Sequence, residues 1–139
     1  MKYGGTMRVL IVEDELSQRM LMQRYLRDMG FCHADVAVNG LEAVEAYTAA
    51  LGENDPYRLI FLDIEMPEMG GQDALQRIRD MEKARGIPAG AEVKALMTTA
   101  HDDQKNVVKA FFEGFASGYL VKPVERQALA DALMGLGML

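Results

Sequence analysis

The stretch Leu59-Ile-Phe-Leu-Asp63-Ile-Glu-Met-Pro67 places a carboxylate directly after a short run of large apolar residues. Such a run, bounded by turn residues, is typical of a strand that is buried on both faces of a sheet. Three other apolar segments also end in polar residues, and these endings are Glu13-Asp14, Thr99 and Lys122. The sequence therefore predicts several strands that carry polar groups to one edge of a sheet.

Predicted strands and helices alternate five times along the chain. The apolar patterns predict strands at Arg8–Val12, Ala34–Val38, Leu59–Leu62, Val93–Met97 and Tyr119–Val121. Helical periodicity predicts helices at about Leu16–Met29, Leu41–Leu51, Gln72–Lys83, Asp103–Glu113 and Glu125–Leu136. Alternation of this kind requires crossover connections, so we expect an α/β fold with a doubly wound, five-stranded parallel sheet. Residues 1–7 are predicted to form a flexible N-terminal tail and residues 8–139 a single domain.

Composition excludes several classes of function. The net charge of −6 argues against nucleic-acid binding, which requires a basic face. The single cysteine, Cys32, cannot form an internal disulfide and fits a reducing compartment. No apolar run approaches the length of a membrane span or of a secretory signal, so we expect a cytoplasmic protein without membrane contact.

The polar strand ends have the composition of a metal and phosphoryl site. Parallel strands place their ligands beyond their carboxyl ends, where Glu13, Asp14 and Asp63 would meet. Like carboxylates at short range resist simultaneous ionisation, and a hard divalent cation relieves the repulsion. Three carboxylates, Mg²⁺ and the ammonium of Lys122 sum to zero charge, whereas two net negative charges would remain without the metal. We therefore expect Mg²⁺ as the cofactor.

An aspartate in such a site can also act as a nucleophile and form an aspartyl phosphate. Phosphoryl transfer depends on positioning and on neutralising three equatorial oxygens. A metal ion, the ammonium of Lys122 and the hydroxyl of Thr99 would each serve one of these oxygens. This set of groups needs no general base.

These segments, taken in order, resemble those of a response-regulator receiver domain of two-component signalling, of the single-domain, chemotaxis-regulator type. The resemblance extends over nearly the whole chain from Arg8 onward. It implies a flavodoxin-like (βα)5 fold with strand order 2-1-3-4-5. The segments that carry it are Val9-Leu-Ile-Val-Glu13-Asp14-Glu15, Asp63-Ile-Glu-Met-Pro67-Glu-Met-Gly-Gly71, Thr99-Ala100 and Gly118-Tyr-Leu-Val-Lys122-Pro123.

The resemblance also implies roles for four acidic residues at the predicted site. Asp63 would be the phosphoacceptor, and Asp14 and Asp63 would bind Mg²⁺ through their side chains. Glu13 would bind the metal through a water molecule, and Glu65 through its backbone carbonyl. The side chain of Glu65, together with His101 at the mouth of the site, is expected to tune the lifetime of the phosphoryl group.

The remaining implied roles concern the phosphoryl group and the switch. Lys122 and Thr99 would contact the phosphoryl group, with Lys122 aimed by a cis peptide bond to Pro123. Thr98 competes with Thr99 for this role; Thr99 is preferred because a small residue follows it. Tyr119 is either a strand aromatic or a switch whose ring moves inward when Thr99 turns toward the phosphate, and the switch is favoured.

Two departures from the family pattern stand out. Gly70 lies where the family usually has an acidic residue, and we expect it to loosen the loop after Asp63. The interval from Thr99 to Lys122 is one residue longer than in many members, with the extra residue expected within Gly114-Phe-Ala-Ser-Gly118. Neither departure alters the chemistry of the site.

The predicted function is that of a signalling phosphoacceptor that catalyses only its own phosphorylation and dephosphorylation. The expected donor is a histidine kinase or a histidine phosphotransfer protein. The expected output surface, which would bind a downstream protein target, is formed by the fourth helix, fifth strand and fifth helix, with surface residues Lys105, Val108, Phe112 and Val124. With no output domain after Leu139, the protein is expected to act alone, unless the chain is a fragment of a longer regulator.

Two other classes of protein fit the sequence less well. A Mg²⁺-dependent phosphohydrolase with an aspartyl nucleophile usually needs a second acid two residues on, where Glu65 lies, but also a cap domain that this chain lacks room for. A flavin-binding module needs a phosphate loop after the first strand, where Glu13-Asp14-Glu15 would repel a phosphate.

Overall fold

The structure is a computed structural model that describes residues 7–100, Lys105, Lys109 and 115–139. Its strands are β1 (Arg8–Val12), β2 (His33–Ala37), β3 (Leu59–Asp63), β4 (Lys94–Thr99) and β5 (Gly118–Val121). Its helices are α1 (Leu16–Asp28), α2 (Gly40–Gly52), α3 (Gly71–Ala84) and α4 (Arg126–Gly135), with a 3-10 helix at Ala89–Ala91. Within these described residues, no helix is both long enough and apolar enough to cross a membrane.

The five strands form one parallel sheet with the order β2-β1-β3-β4-β5. The predicted sheet and strand order are therefore confirmed. β1 has the predicted bounds, the bounds of the other four strands differ from prediction by one or two residues, and β4 extends through Thr99. The 3-10 helix at Ala89–Ala91 was not predicted, since its residues carry no periodic apolar pattern. The predicted helix Asp103–Glu113 lies outside the described residues except for Lys105 and Lys109, which are helical and exposed.

The core consists of two layers, one on each face of the sheet. Because successive side chains of a strand point to opposite faces, the continuous apolar runs of the central strands serve both layers. On one face, β1, β3 and β4 pack against α2 and α3. The buried strand residues of this layer include Leu10, Val12, Ile60, Leu62, Ala95 and Met97, and the buried helix residues include Ala43, Tyr47, Leu75 and Ile78. On the other face the sheet packs against α1 and α4, through Val9, Ile11, Leu59, Phe61, Leu96, Met22, Leu26, Leu129 and Leu133.

The start of α2 is fixed by a reciprocal cap. The side-chain oxygen of Asn39 accepts a hydrogen bond from the backbone N–H of Glu42 at 2.8 Å. The carboxylate of Glu42 accepts in turn from the backbone N–H of Val38 at 3.0 Å. Both bonds satisfy backbone donors near the helix start that have no partner within the helix. The first residue of α2, Gly40, therefore has a defined position.

A buried polar network ties four segments together at the amino ends of the strands. The carboxylate of Glu82 is fully buried and accepts hydrogen bonds from the Tyr47 hydroxyl at 2.8 Å and the Val93 backbone N–H at 2.7 Å. It also pairs with the guanidinium of Arg79 at 2.7 Å. Arg79 donates to the backbone carbonyl of Phe115 at 2.8 and 3.0 Å. This network joins α2, α3, the approach to β4 and the approach to β5.

One expected surface residue is buried. Val124, which was predicted to lie on the output surface, is only 3% exposed and packs in the layer formed by α1 and α4. It directly follows the cis peptide bond between Lys122 and Pro123, which is present as expected. Val108 and Phe112, predicted for the same surface, lie outside the described residues.

Candidate functional site

The carboxyl ends of β1, β3, β4 and β5 bring the predicted site residues together. The ammonium of Lys122 lies 2.8 Å from Oδ2 of Asp63 and 2.7 Å from Oε1 of Glu13. Asp63 is 5% exposed and Glu13 is 4% exposed, so a single lysine bridges two buried carboxylates. The backbone N–H of Lys122 donates to the carbonyl of Thr99 at 2.8 Å, which fixes the lysine beside the end of β4.

Three hydrogen bonds hold the acidic turn that follows β1, residues 13–15. The backbone N–H of Glu13 donates to the carbonyl of Ala37 at 3.0 Å. The guanidinium of Arg19 donates to the Glu13 carbonyl at 2.8 Å, and the Glu13 carboxylate accepts from the backbone N–H of Glu15 at 3.1 Å. The contribution of Arg19 was not predicted, because an arginine on a helix gives no local signal that it reaches back to the preceding turn.

The carboxylates fit a hard divalent cation. Glu13, Asp14 and Asp63 each offer a carboxylate oxygen, and these three oxygens lie within 4.8 Å of one another. Asp14 is exposed while the other two are buried, so the cluster opens to solvent on one side. Oxygen donors with access to water are the ligands that Mg²⁺ prefers in proteins. The donor set therefore agrees with the metal expected from the sequence.

A small cavity of about 150 Å³ adjoins Asp63 and Lys122. Its other lining residues are Ile64, Glu65, Thr99 and Ala100. Its wall includes Thr99 but not Thr98, which pairs with Asp63 in the β3–β4 register. The hydroxyl of Thr99 donates to the carbonyl of Ala100 at 3.1 Å, so it would have to rotate to contact a group bound in the cavity.

The other predicted residues have less direct positions. The side chain of Glu65 is exposed at the edge of the cavity, and its backbone N–H donates to Oδ1 of Asp63 at 3.3 Å. Tyr119 is 48% exposed on β5. His101 lies outside the described residues.

Burial and charge shift the pKa values of two groups in the site. Burial raises the pKa of Glu13 from its ordinary value of 4.5 to about 7; the Lys122 ammonium opposes this shift and the Asp63 carboxylate adds to it. For Lys122, burial alone would lower the pKa, but the hydrogen bonds to Asp63 and Glu13 outweigh burial and raise it. The site thus retains its positive charge while one of its buried carboxylates resists ionisation.

Glutamine at position 13 is expected to stabilise the metal-free protein at about pH 8. The unfolded chain loses the Glu13 proton near 4.5 and the folded chain near 7, so folding stability falls as the pH rises between these values. A neutral glutamine removes this loss, for a gain of about 1 to 3 kcal/mol in the free energy of unfolding at pH 8 and a much smaller gain at about pH 5. Urea unfolding in the presence of EDTA at both pH values measures the difference.

Glu45→Gln is the matched control for this prediction, because Glu45 is exposed on α2. We expect it to change the unfolding midpoint little at either pH. An equal gain for Glu13→Gln at both pH values would contradict the assignment, since it would trace the effect to packing rather than to ionisation.

The loop 64–70 after Asp63 is tightly closed. The backbone N–H of Gly71 donates to the carbonyl of Ile64 at 3.0 Å, and a Cβ at Gly70 would lie 2.9 Å from that same carbonyl oxygen. The missing side chain at Gly70 lets the two ends of the loop approach each other closely, and the looser loop expected from the sequence stays a prediction.

Comparison with known proteins gives a consistent result along the chain. A family model described as "Response regulator receiver domain" matches residues 9–134. The chain is 33% identical over 126 residues to the chemotaxis protein CheY of Bacillus subtilis, a match covering 91% of this chain and 93% of CheY. Other relatives are much longer: the chain is 30% identical over 139 residues to probable histidine kinase 2 of Oryza sativa, which covers 94% of this chain but 13% of the kinase.

Solved structures with the same fold include two complexes. One is the receiver domain of the response regulator Ssk1 of Saccharomyces cerevisiae with the histidine phosphotransfer protein Ypd1; the TM-score is 0.77 at 31% identity, covering 96% of this chain and 92% of that one. The other is a CheX–CheY complex with BeF3 and Mg²⁺ from Borrelia burgdorferi; the TM-score is 0.79 at 26% identity, covering 94% and 89%.

Proposed function

This chain belongs to the family of response regulator receiver domains, and on that premise we propose that Asp63 accepts a phosphoryl group from a phosphohistidine in two-component signalling. The observation that carries the proposal is the bridge of Lys122 between Asp63 and Glu13, beside a cavity of about 150 Å³. This cavity has room for a phosphoryl group, and its walls already supply a positive charge and a hydroxyl.

The transfer forms one bond and breaks another. An oxygen of the Asp63 carboxylate bonds to phosphorus as the bond between phosphorus and the donor imidazole breaks, and the released imidazole takes a proton from water. The Lys122 ammonium shifts from the carboxylate toward a phosphoryl oxygen and neutralises charge there. The Thr99 hydroxyl leaves the Ala100 carbonyl to donate to a second oxygen.

Asp14 and Asp63 through their side chains, Glu13 through water and Glu65 through its carbonyl are the proposed ligands of Mg²⁺. When bound, the metal supplies positive charge next to the transferring group. The three carboxylate oxygens within 4.8 Å support this set. The Mg²⁺ in the Borrelia burgdorferi complex supports the same choice of ion.

The proposed donor is a histidine kinase or a histidine phosphotransfer protein. The complex of the Ssk1 receiver with Ypd1 supports a partner of this kind. Leu16 and Met20 lie exposed on α1, close to the acidic turn. Two large apolar side chains beside a charged cleft favour docking of a protein over access by a small molecule alone.

The proposed output is the binding of a protein target. The target would bind the surface formed by β5, by α4, which is the fifth helix predicted from the sequence, and by the predicted helix Asp103–Glu113. A groove of about 530 Å³ on this side is lined in part by Tyr119, Pro123, Ala128 and Ala132. We propose that the ring of Tyr119 moves inward when Thr99 turns toward the phosphoryl group, which would change the shape of this groove.

Acetyl phosphate with Mg²⁺ provides the test of the proposed function. We expect the intact mass of the protein to increase by one phosphoryl group, and EDTA to prevent the increase, because the carboxylates then repel the anionic donor. In the same samples, the decay rate of the adduct in Glu65→Ala tests the proposed tuning role. An unmodified mass together with rapid turnover of phosphate esters would identify a phosphohydrolase instead.

A further inference from the structure

The start of α2 touches the loop that follows Asp63. The backbone N–H of Gly40, the first residue of α2, donates to the carbonyl of Met69 at 3.0 Å. Gly40 is itself buried, and its place is fixed by the cap that Asn39 and Glu42 form. This contact joins α2 to the loop 64–70, although neither Gly40 nor Met69 lines the cavity beside Asp63.

The contact leaves no room for a side chain at position 40. A Cβ there would lie 2.4 Å from the carbonyl oxygen of Met69 and 2.9 Å from its carbonyl carbon and its Cβ. Carbon and carbonyl oxygen normally approach no closer than about 3.3 Å. An alanine at Gly40 would therefore have to push the loop and the helix apart by about 1 Å.

Two hydrogen bonds restrict how the loop can absorb this displacement. The N–H of Met69 donates to the carbonyl of Pro67 at 2.8 Å, which closes a three-residue turn around Glu68 at φ 71°. A non-glycine residue with such a backbone angle is held there by its surroundings. At the other end, the loop is closed by the bond from Gly71 to Ile64, and a Cβ at Gly71 would lie 2.3 Å from the carbonyl oxygen of Asp63. A shift at Met69 is therefore transmitted toward Ile64 and Glu65, next to Asp63.

We propose that Gly40 is a positioning residue for the metal and phosphoryl site. The absence of its side chain allows the capped end of α2 to hold the loop 64–70 in the place that the site needs. This inference rests on the proposed function, because it concerns the same carboxylate and the proposed carbonyl ligand of Glu65. It adds a residue that contacts neither the metal nor the phosphoryl group.

Gly40→Ala is the direct test, with Gly52→Ala as its matched control. Gly52 is the last residue of α2, and a Cβ there meets nothing within 4 Å. We expect Gly40→Ala to weaken Mg²⁺ binding about tenfold or more, as loss of outer contacts does at other metal sites. Gly52→Ala should bind Mg²⁺ as the original protein does. Calorimetric titration with Mg²⁺, at a temperature where circular dichroism shows both variants folded, gives the two dissociation constants.

A second measurement uses only the original protein, so it tests the role of Gly40 even if Gly40→Ala does not fold. In amide NMR spectra of the original protein, Mg²⁺ should shift the Gly40 N–H signal, because its acceptor belongs to the loop beside the metal. The signals of Gly52 and Gly90, which lie in open surroundings, should stay in place.

Two results would overturn the role of Gly40. One is an unchanged Mg²⁺ affinity in folded Gly40→Ala, and the other is a Gly40 N–H signal in the original protein that does not shift at saturating Mg²⁺. If the original protein neither binds Mg²⁺ nor takes up a phosphoryl group from acetyl phosphate, the proposed function itself fails. The two failures are therefore distinguishable.

Discussion

Asparagine in place of Asp63 is expected to abolish the phosphate adduct while the domain stays folded. The amide nitrogen and the amide oxygen are both poor nucleophiles toward phosphorus, and the site loses a proposed metal ligand at the same position. The fold should tolerate the change, because it removes one of two buried negative charges that share the Lys122 ammonium. Intact mass after incubation with acetyl phosphate and Mg²⁺ measures the adduct, and circular dichroism measures the fold.

Glu45→Gln is the matched control for this substitution. It also removes a carboxylate, but that side chain is exposed on α2 and is not among the residues proposed to bind the metal or the phosphoryl group. We expect this variant to form the adduct. If Asp63→Asn still gained a phosphoryl group, peptide mapping would have to find the acceptor elsewhere, and the assignment of Asp63 would be wrong.

Alanine in place of Glu82 is expected to lower the free energy of unfolding by about 3 to 5 kcal/mol. The change would remove the acceptor of the Tyr47 hydroxyl and of the Val93 backbone N–H. It would also take the carboxylate from the largely buried guanidinium of Arg79, which would keep only its hydrogen bonds to the Phe115 carbonyl. Removing one partner of a buried ion pair costs far more than the pair itself contributes, because the remaining charge stays desolvated. A loss of this size is a large fraction of the stability of a typical domain.

Urea unfolding near neutral pH measures this effect, with Glu45→Ala as the control. Glu45 is an exposed glutamate on α2, and its substitution should change the unfolding free energy by no more than about 0.5 kcal/mol. Glu82→Gln should fall between the two, because an amide keeps an acceptor oxygen but loses the charge that Arg79 requires. Equal midpoints for Glu82→Ala and Glu45→Ala would show that the network contributes nothing to stability.

The central strands were predictable because their sequence requirement is strong and local. Strands buried on both faces need continuous apolar runs, and β1 and β3 have them. Asp63 and Lys122 could be placed for the same reason, since parallel strands deliver their carboxyl ends to one edge of the sheet. The order of the strands, however, came from the resemblance to a family, because alternation alone is compatible with several orders.

Other features depend on tertiary contacts, and only some of these leave a local pattern in the sequence. Val124 follows a strand exit and looks exposed in sequence, yet it is buried against α1 and α4. Glu82 carried a signal, because it lies four residues after Ile78 on the apolar stripe of α3 and so had to face the core. Gly40 gave no such signal, because its importance comes from a loop about thirty residues further along the chain.

Two buried ionic groups in the described part of the chain differ in how their charges balance. The carboxylate of Glu82 pairs with the guanidinium of Arg79, one negative charge with one positive charge. The carboxylates of Glu13 and Asp63 both pair with the single ammonium of Lys122. The charges of the first group balance within the protein. Among the residues that the structure describes, the second group lacks one positive charge, and a cation from solution can supply it. Under the proposed function, the fraction of molecules ready to receive a signal would therefore follow the free concentration of divalent cation, before any donor protein arrives.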